Sequence, residues 1–183
     1  ADVSGKGVAA ALLMSNFQAN LRVLLNYSGN LKELVHQLNK KVMINAKGEK
    51  FITFFIAKYN LQTRILTYIN AGHNPPILFA GKNPMLLKVG CTGLGMFDEL
   101  THIKESFVSI PNNSFITCYT DGVVEVENED NDNFGTERLT EIMGAYKDKT
   151  AKDINQQILF NLVEFKGTRP YVDDIALFSC KFF

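Results

Sequence analysis

The strongest constraint on the fold is the order of the periodic segments. Over residues 8–27, Leu13, Phe17, Leu21 and Leu24 recur at helical spacing. Ser28-Gly29-Asn30 interrupts, and Asn30 followed by Glu33 resembles a capping box with Asn in place of Ser or Thr. A second helix over 31–46 carries Leu31, Leu34, Val35, Leu38 and Val42 on one face and a Lys-rich opposite face. Short β-branched and aromatic runs follow at 51–59, 64–70, 77–80, 85–89, 101–110 and 114–120. Between them stand turn residues: 60–63, Gly72 with Pro75 and Pro76, Gly81-Lys82-Asn83-Pro84, and Pro111-Asn112-Asn113. Helices return at 136–146 and 150–165, and a final strand is expected over 172–183. Strands in runs, with helices grouped between them, predict an α+β fold rather than a doubly wound parallel sheet.

At 183 residues the chain is read as a single domain, 1–183, since halving it would leave each part short of core. Hydrophobic residues at 46% and charged residues at 21% exclude disorder as the main state. Nineteen basic and 19 acidic residues cancel, so no general nucleic-acid partner is expected. No apolar run reaches the ~20 residues that span a bilayer, so no direct membrane insertion is expected. Cys91, Cys118 and Cys180 are widely spaced, odd in number and form no C-x-x-C pair, which suits a reducing, cytoplasmic setting. The opening Ala1-Asp2-Val3 has no initiator Met, and reads as a piece cut from something longer.

Three carboxylate positions stand out. Asp2-Val3-Ser4-Gly5-Lys6-Gly7 sets an acid among small residues just before a helix, where backbone can approach a ligand closely. The same residues also suit a glycine turn into that helix. Thr120-Asp121-Gly122 ends the apolar run 115–119, so Asp121 either projects into a cleft or caps a helix over 123–126. Asp173-Asp174, read as part of a strand, would point to opposite faces, and a metal ion would relieve the cost of a buried carboxylate. The alternative is a strand end with both acids in water. Oxygen donors without nearby His or Cys suit magnesium or manganese rather than zinc.

Other polar features read as structural. His73, in Asn70-Ala71-Gly72-His73-Asn74-Pro75-Pro76, is favoured as a hydrogen-bonding loop residue over a catalytic one. His36 and His102 read as surface residues, with His102 on a strand. The acidic series Glu125, Glu127, Glu129, Asp130 and Asp132 reads as a solvated loop.

Taken in order, Ala1-Asp2-Val3-Ser4-Gly5-Lys6-Gly7-Val8, Asn70 to Pro76, Tyr119-Thr120-Asp121-Gly122-Val123, Phe134-Gly135 with Arg138-Leu139, and Asp173-Asp174-Ile175-Ala176-Leu177 resemble one family. They are similar to the bacterial SpoIIE/RsbU-type serine phosphatases of the metal-dependent (PPM) phosphatase superfamily. That resemblance implies two packed antiparallel sheets flanked by helices, with two manganese or magnesium ions in a cleft. Activated water would attack a phosphoserine or phosphothreonine ester. By motif matching, Asp2 would bridge the ions beside the Val3 carbonyl, and Asp121 and Asp173 would hold the first ion. Asp2, Asp121 and Asp173 are thus the expected catalytic residues. Gly122 would let the backbone turn closely at the site. Asp174 stands where eukaryotic relatives usually carry Asn, and ranks behind the ligands or as structural. Ser4 replaces the His that those relatives carry two residues after the bridging Asp.

An earlier Gly-Asp-(Phe/Tyr) strand motif of the family has no match in this chain. The expectation is therefore a phosphatase domain lacking its first strands. The resemblance further implies a phosphorylated STAS-domain regulatory protein as substrate and an upstream sensor domain, with the first two helices as a switch. The alternative is a catalytically impaired fragment, or a partner-binding module of the same fold. An open sheet edge would also invite pairing of two copies.

Overall fold

The computed structural model describes residues 1–81 and 83–183. The chain divides into two compact units, Ala1–His73 with Lys88–Val108, and Asn74–Leu87 with Ser109–Phe183.

In the first unit, β1 (Asp2–Val3) leads into α1 (Val8–Leu24) and α2 (Leu31–Ala46). The expected capping box forms in altered shape. Asn30 Oδ1 accepts the Glu33 N–H at 2.9 Å, but Glu33 Oε2 accepts from Gly29 rather than from Asn30. The hairpin of β2 (Ile52–Asn60) and β3 (Ile65–Ala71) turns at Asn60, whose Oδ1 accepts the Gln62 and Thr63 N–H groups, both at 2.9 Å. β1 pairs antiparallel with β2, so the opening Asp-Val is a strand and only the residues after it form the glycine turn. Leu13 and Phe17 of α1 and Leu34, Val35 and Leu38 of α2 bury against Ile52, Phe54 and Ile69 of the sheet. Burial of such side chains drives this packing, at about 1.5–3 kcal/mol each. Phe17 meets Phe54 edge to face, with ring centres 5.1 Å apart.

In the second unit, β4 (Ile77–Phe79) and β5 (Pro84–Leu86) pair antiparallel. Lys82, in the turn expected between them, lies outside the described residues. β6 (Gly90–Cys91) and β7 (Ser106–Ser109) join the first sheet beside β3. β8 (Ser114–Tyr119) extends the second sheet and ends at the short α3 (Asp121–Val124). The chain continues through α4 (Gly135–Ala145) and α5 (Ala151–Lys166) to β9 (Leu177–Phe182). The second sheet runs β5-β4-β8-β9, antiparallel throughout. Its core gathers Ile77, Phe79, Phe115 and Tyr119 against Val123, Leu139, Met143, Ile154, Ile158 and Leu162 of the helices. The α+β expectation of two sheets flanked by helices holds.

Three expectations fail locally. β6 runs parallel to β3, pairing Asn70 with Gly90 and Ala71 with Cys91, because a connection through the second unit returns the chain in the same direction. The strand expected over 101–110 shrinks to Ser106–Ser109, which leaves His102 exposed on a loop. The strand expected from 172 begins only at Leu177, so Asp173 and Asp174 lie ahead of it in irregular backbone. Asp is a poor strand former, and Asp173 Oδ1 accepts the Asp174 N–H at 2.9 Å, a local bond that competes with a ladder. Among the described residues no helix is long and apolar enough to cross a membrane.

Candidate functional site

The sequence-expected residues fall in both units. Asp2, Val3 and Ser4 belong to the first; Asp121, Gly122, Asp173 and Asp174 belong to the second.

On β1, Asp2 stands opposite Thr53 and Val3 opposite Ile52, with the Val3 side chain buried. Ser4 is tied down on every side. Its N–H donates to the Phe51 carbonyl at 2.9 Å and its Oγ accepts the Phe51 N–H at 2.9 Å. Its carbonyl accepts Lys50 Nζ at 3.2 Å. Gly5 and Gly7, at φ of 80° and 88°, then swing the chain into α1 through a conformation other residues rarely adopt.

His73 is buried beside this strand pair. Its Nδ1 lies 2.9 Å from Thr53 Oγ1, its N–H donates to Asn70 Oδ1 at 2.8 Å, and its carbonyl accepts Asn70 Nδ2 at 3.0 Å. Burial lowers its pKa to about 4, so the ring is neutral at pH 7.

In the second unit, β8 delivers Thr120 and Asp121 to the end of the sheet. Asp121 opens α3, and its Oδ1 accepts the Gly122 N–H at 2.9 Å. Asp121 is not the cap: Thr120 takes the N-cap position and Asp121 stands in the first turn. Thr120 also grips the segment ahead of β9. Its Oγ1 donates to the Asp174 carbonyl at 3.1 Å and accepts the Ala176 N–H at 3.0 Å, while its N–H donates to the Ala176 carbonyl at 3.2 Å. Gly122 packs so closely there that a Cβ would collide with the Asp174 carbonyl oxygen. The backbones of Asp121-Gly122 and Asp173-Asp174 are thereby locked together across 52 residues of sequence.

A cavity of about 210 Å³ opens beside them, lined by Gly122, Glu125, Glu127, Asn133, Val172 and Asp173 among others. Among the described residues no Lys or Arg lines it. Carboxylate and amide oxygens lining this space fit a hard divalent cation in chemical kind. Among the described residues, no group of three or more His, Cys, Asp or Glu side chains is gathered into a metal cage.

The acidic loop is not simply solvated. Arg169 Nη1 pairs with Glu127 Oε2 at 2.7 Å, Arg169 Nη2 donates to Asn131 Oδ1 at 2.6 Å, and Thr168 Oγ1 donates to Glu129 at 2.9 Å. Thr53 and Arg169 belong to none of the sequence motifs, and Thr120 stands in one without an expected role of its own. A Thr just before Asp-Gly suggests a helix cap, but the Thr120 hydroxyl makes no cap bond and binds the segment ahead of β9 instead. Arg169 had no signal beyond being a cation in a loop of a chain with an acidic run.

Two sheets flanked by helices match the fold of PP2C-type phosphatase domains. The structure is similar to the SiaA-PP2C domain of Pseudomonas aeruginosa, with a TM-score of 0.86 over 99% of this chain and 73% of that one, at 17% identity. It also resembles the PP2C phosphatase domain of SpoIIE from Bacillus subtilis, with a TM-score of 0.75 over 96% of this chain and 51% of that one, at 14% identity. The chain belongs to the Stage II sporulation protein E (SpoIIE) family, whose model matches residues 1–183. It is 28% identical over 181 residues to the phosphoserine phosphatase RsbU of Bacillus subtilis (strain 168), covering 97% of this chain and 52% of RsbU. The chain thus spans about half the length of that relative.

Proposed function

We propose that this chain carries the catalytic domain of a metal-dependent protein serine/threonine phosphatase acting on a phosphoserine of a STAS-type regulatory protein. The observation that carries this reading is the lock between Asp121-Gly122 and Asp173-Asp174, which holds two carboxylate positions from distant sequence around one glycine. The phosphoserine preference follows the similarity to RsbU.

Asp2 and the Val3 carbonyl in the first unit, and Asp121 and Asp173 in the second, are the groups that would serve as ligands of manganese or magnesium. RsbX, a protein of the same fold at a TM-score of 0.64, has been solved in complex with magnesium. When bound, such ions activate water for attack on phosphorus and stabilise the charge on the phosphoryl oxygens.

The protein's own groups supply position. Thr120 fixes the backbone on both sides of the acids. Ser4 gives its hydroxyl to the Phe51 N–H as acceptor, which anchors β1 and so the direction of Asp2. His73, neutral and bonded to Thr53, braces the strand that faces Asp2. With Ser4 standing where the resembled enzymes can carry a histidine, protonation of the leaving serine oxygen would need water or another group.

Regulation would enter through α1. Four residues, Ser4 to Gly7, join Asp2-Val3 to that helix, so displacement of α1 by an upstream sensor domain would shift Asp2.

The test is manganese-dependent hydrolysis of p-nitrophenyl phosphate and of a phosphorylated STAS-domain protein by the full-length protein. Asp121→Asn and Asp173→Asn should each lower kcat at least 100-fold. Activity unchanged in either variant would remove that residue from the site.

A further inference from the structure

Residues 167–176, between α5 and β9, form neither helix nor strand, yet they carry Asp173. Thr120 holds the far end of this segment. The near end is held by a different device. Lys166 Nζ donates to the carbonyls of Gly167 at 3.2 Å and Arg169 at 2.8 Å, which curls the chain so that the Arg169 side chain faces the acidic loop. Its two terminal nitrogens then reach Glu127 and Asn131 separately.

That loop is a firm anchor. Asn128 Oδ1 accepts the Asp130 and Asp132 N–H groups at 3.0 and 2.8 Å. The Phe134 N–H donates to the Val126 carbonyl at 2.8 Å. Arg138 Nη1 closes the loop's exit by donating to the carbonyls of Asn133 at 2.8 Å and Phe134 at 3.1 Å. Glu127 and Asn133, on this loop, line the same cavity as Val172 and Asp173.

We propose that Arg169 is a positioning residue for the Asp173 carboxylate, acting through Glu127 and the acidic loop. The inference rests on the reading of Asp173 as a cation ligand. Arg169 does two things at once. Its fork sets the spacing between the loop wall of the cavity and the segment bearing Asp173. Its charge also neutralises Glu127, so that Glu127 does not compete with Asp173 for a cation entering the cavity. A planar guanidinium can hold two acceptors in fixed directions, which an ammonium cannot. The pair is about a third to two-fifths exposed, at 33% and 41%, so its direct contribution to stability is small and its effect is positional.

The experiment is calorimetric titration of the full-length protein with manganese chloride, beside thermal melting and hydrolysis kinetics. Arg169→Gln should weaken manganese binding about 10-fold or more, as loss of an outer-shell partner does, while the melting temperature moves by only a few degrees. Arg169→Lys should recover part of the affinity. The double variant Arg169→Gln/Glu127→Gln should bind no worse than Arg169→Gln alone, because the two act through one contact. Should Arg169→Gln fail to fold, Glu127→Gln poses the same question. Wild-type affinity in Arg169→Gln, with binding abolished in Asp173→Asn, overturns the inference and leaves the phosphatase reading intact. Unchanged binding in Asp173→Asn overturns both.

Discussion

Thr120 and Asp174 are joined through the hydroxyl of one and the carbonyl of the other, 3.1 Å apart and 54 residues distant in sequence. The same hydroxyl accepts the Ala176 N–H, so one side chain satisfies two main-chain groups of the segment ahead of β9. Removing it leaves both exposed groups to water. Thr120→Val should cost about 0.5–1.5 kcal/mol and reduce metal-dependent hydrolysis, whereas Thr120→Ser should retain most of both. Chemical denaturation and p-nitrophenyl phosphate kinetics on the three proteins decide it; equal loss in the Val and Ser variants would show that the hydroxyl is not what matters.

Gly122 makes a separate demand. Its backbone conformation is one that other residues adopt, so the constraint is space and not φ. A methyl group there would push against the Asp174 carbonyl and spread the two acidic segments. Gly122→Ala should destabilise by about 1–3 kcal/mol, as overpacking does, and lower activity more than stability. An active Gly122→Ala protein would mean the segments can separate without loss.

His73 gives the fold an acid-sensitive element. Its folded pKa of about 4 lies below the ordinary 6.5, so between those values the unfolded chain takes up the proton more readily. The stability from keeping this ring neutral is complete above pH 6.5. It is lost progressively as pH falls to about 4, by roughly 1–3 kcal/mol in all. Unfolding free energies measured at pH 7, 5.5 and 4 should slope accordingly, and the slope in this window should flatten in His73→Gln. The same slope in both proteins would assign the acid sensitivity elsewhere.

Asn39 is fully buried on α2, an unusual place for an amide. Its Nδ2 donates to the carbonyls of Phe97 at 3.0 Å and Asp98 at 3.3 Å, and its Oδ1 accepts the Gly95 N–H at 2.8 Å. One side chain thus pins the loop after β6. Asn39→Ala should cost about 2–3 kcal/mol and raise amide exchange at Gly95, while Asn20→Ala, at a half-buried position on α1 whose amide bonds only the Asn16 carbonyl one turn back, should cost under about 1 kcal/mol. Slow exchange at Gly95 in the Asn39 variant would contradict this account.

Much of the local structure was legible in the sequence because its causes are local. The spacing of Leu34, Val35, Leu38 and Val42 marks a helix face within a few turns of backbone, and Asn30 marks where it starts. The turn at Asn60 follows from that residue's own side chain. Asp2, Asp121 and Asp173 could be picked out as candidates by residue type, neighbours and motif order alone. What the sequence could not state was decided by contacts between distant segments. The parallel alignment of β6 with β3, the retreat of the last strand to Leu177, the grip of Thr120 on Asp174 and the fork of Arg169 on Glu127 each join residues that no local pattern relates. Periodicity reports which face of an element is apolar. It carries no information on which polar groups of another segment will be left facing it, and only tertiary packing settles that.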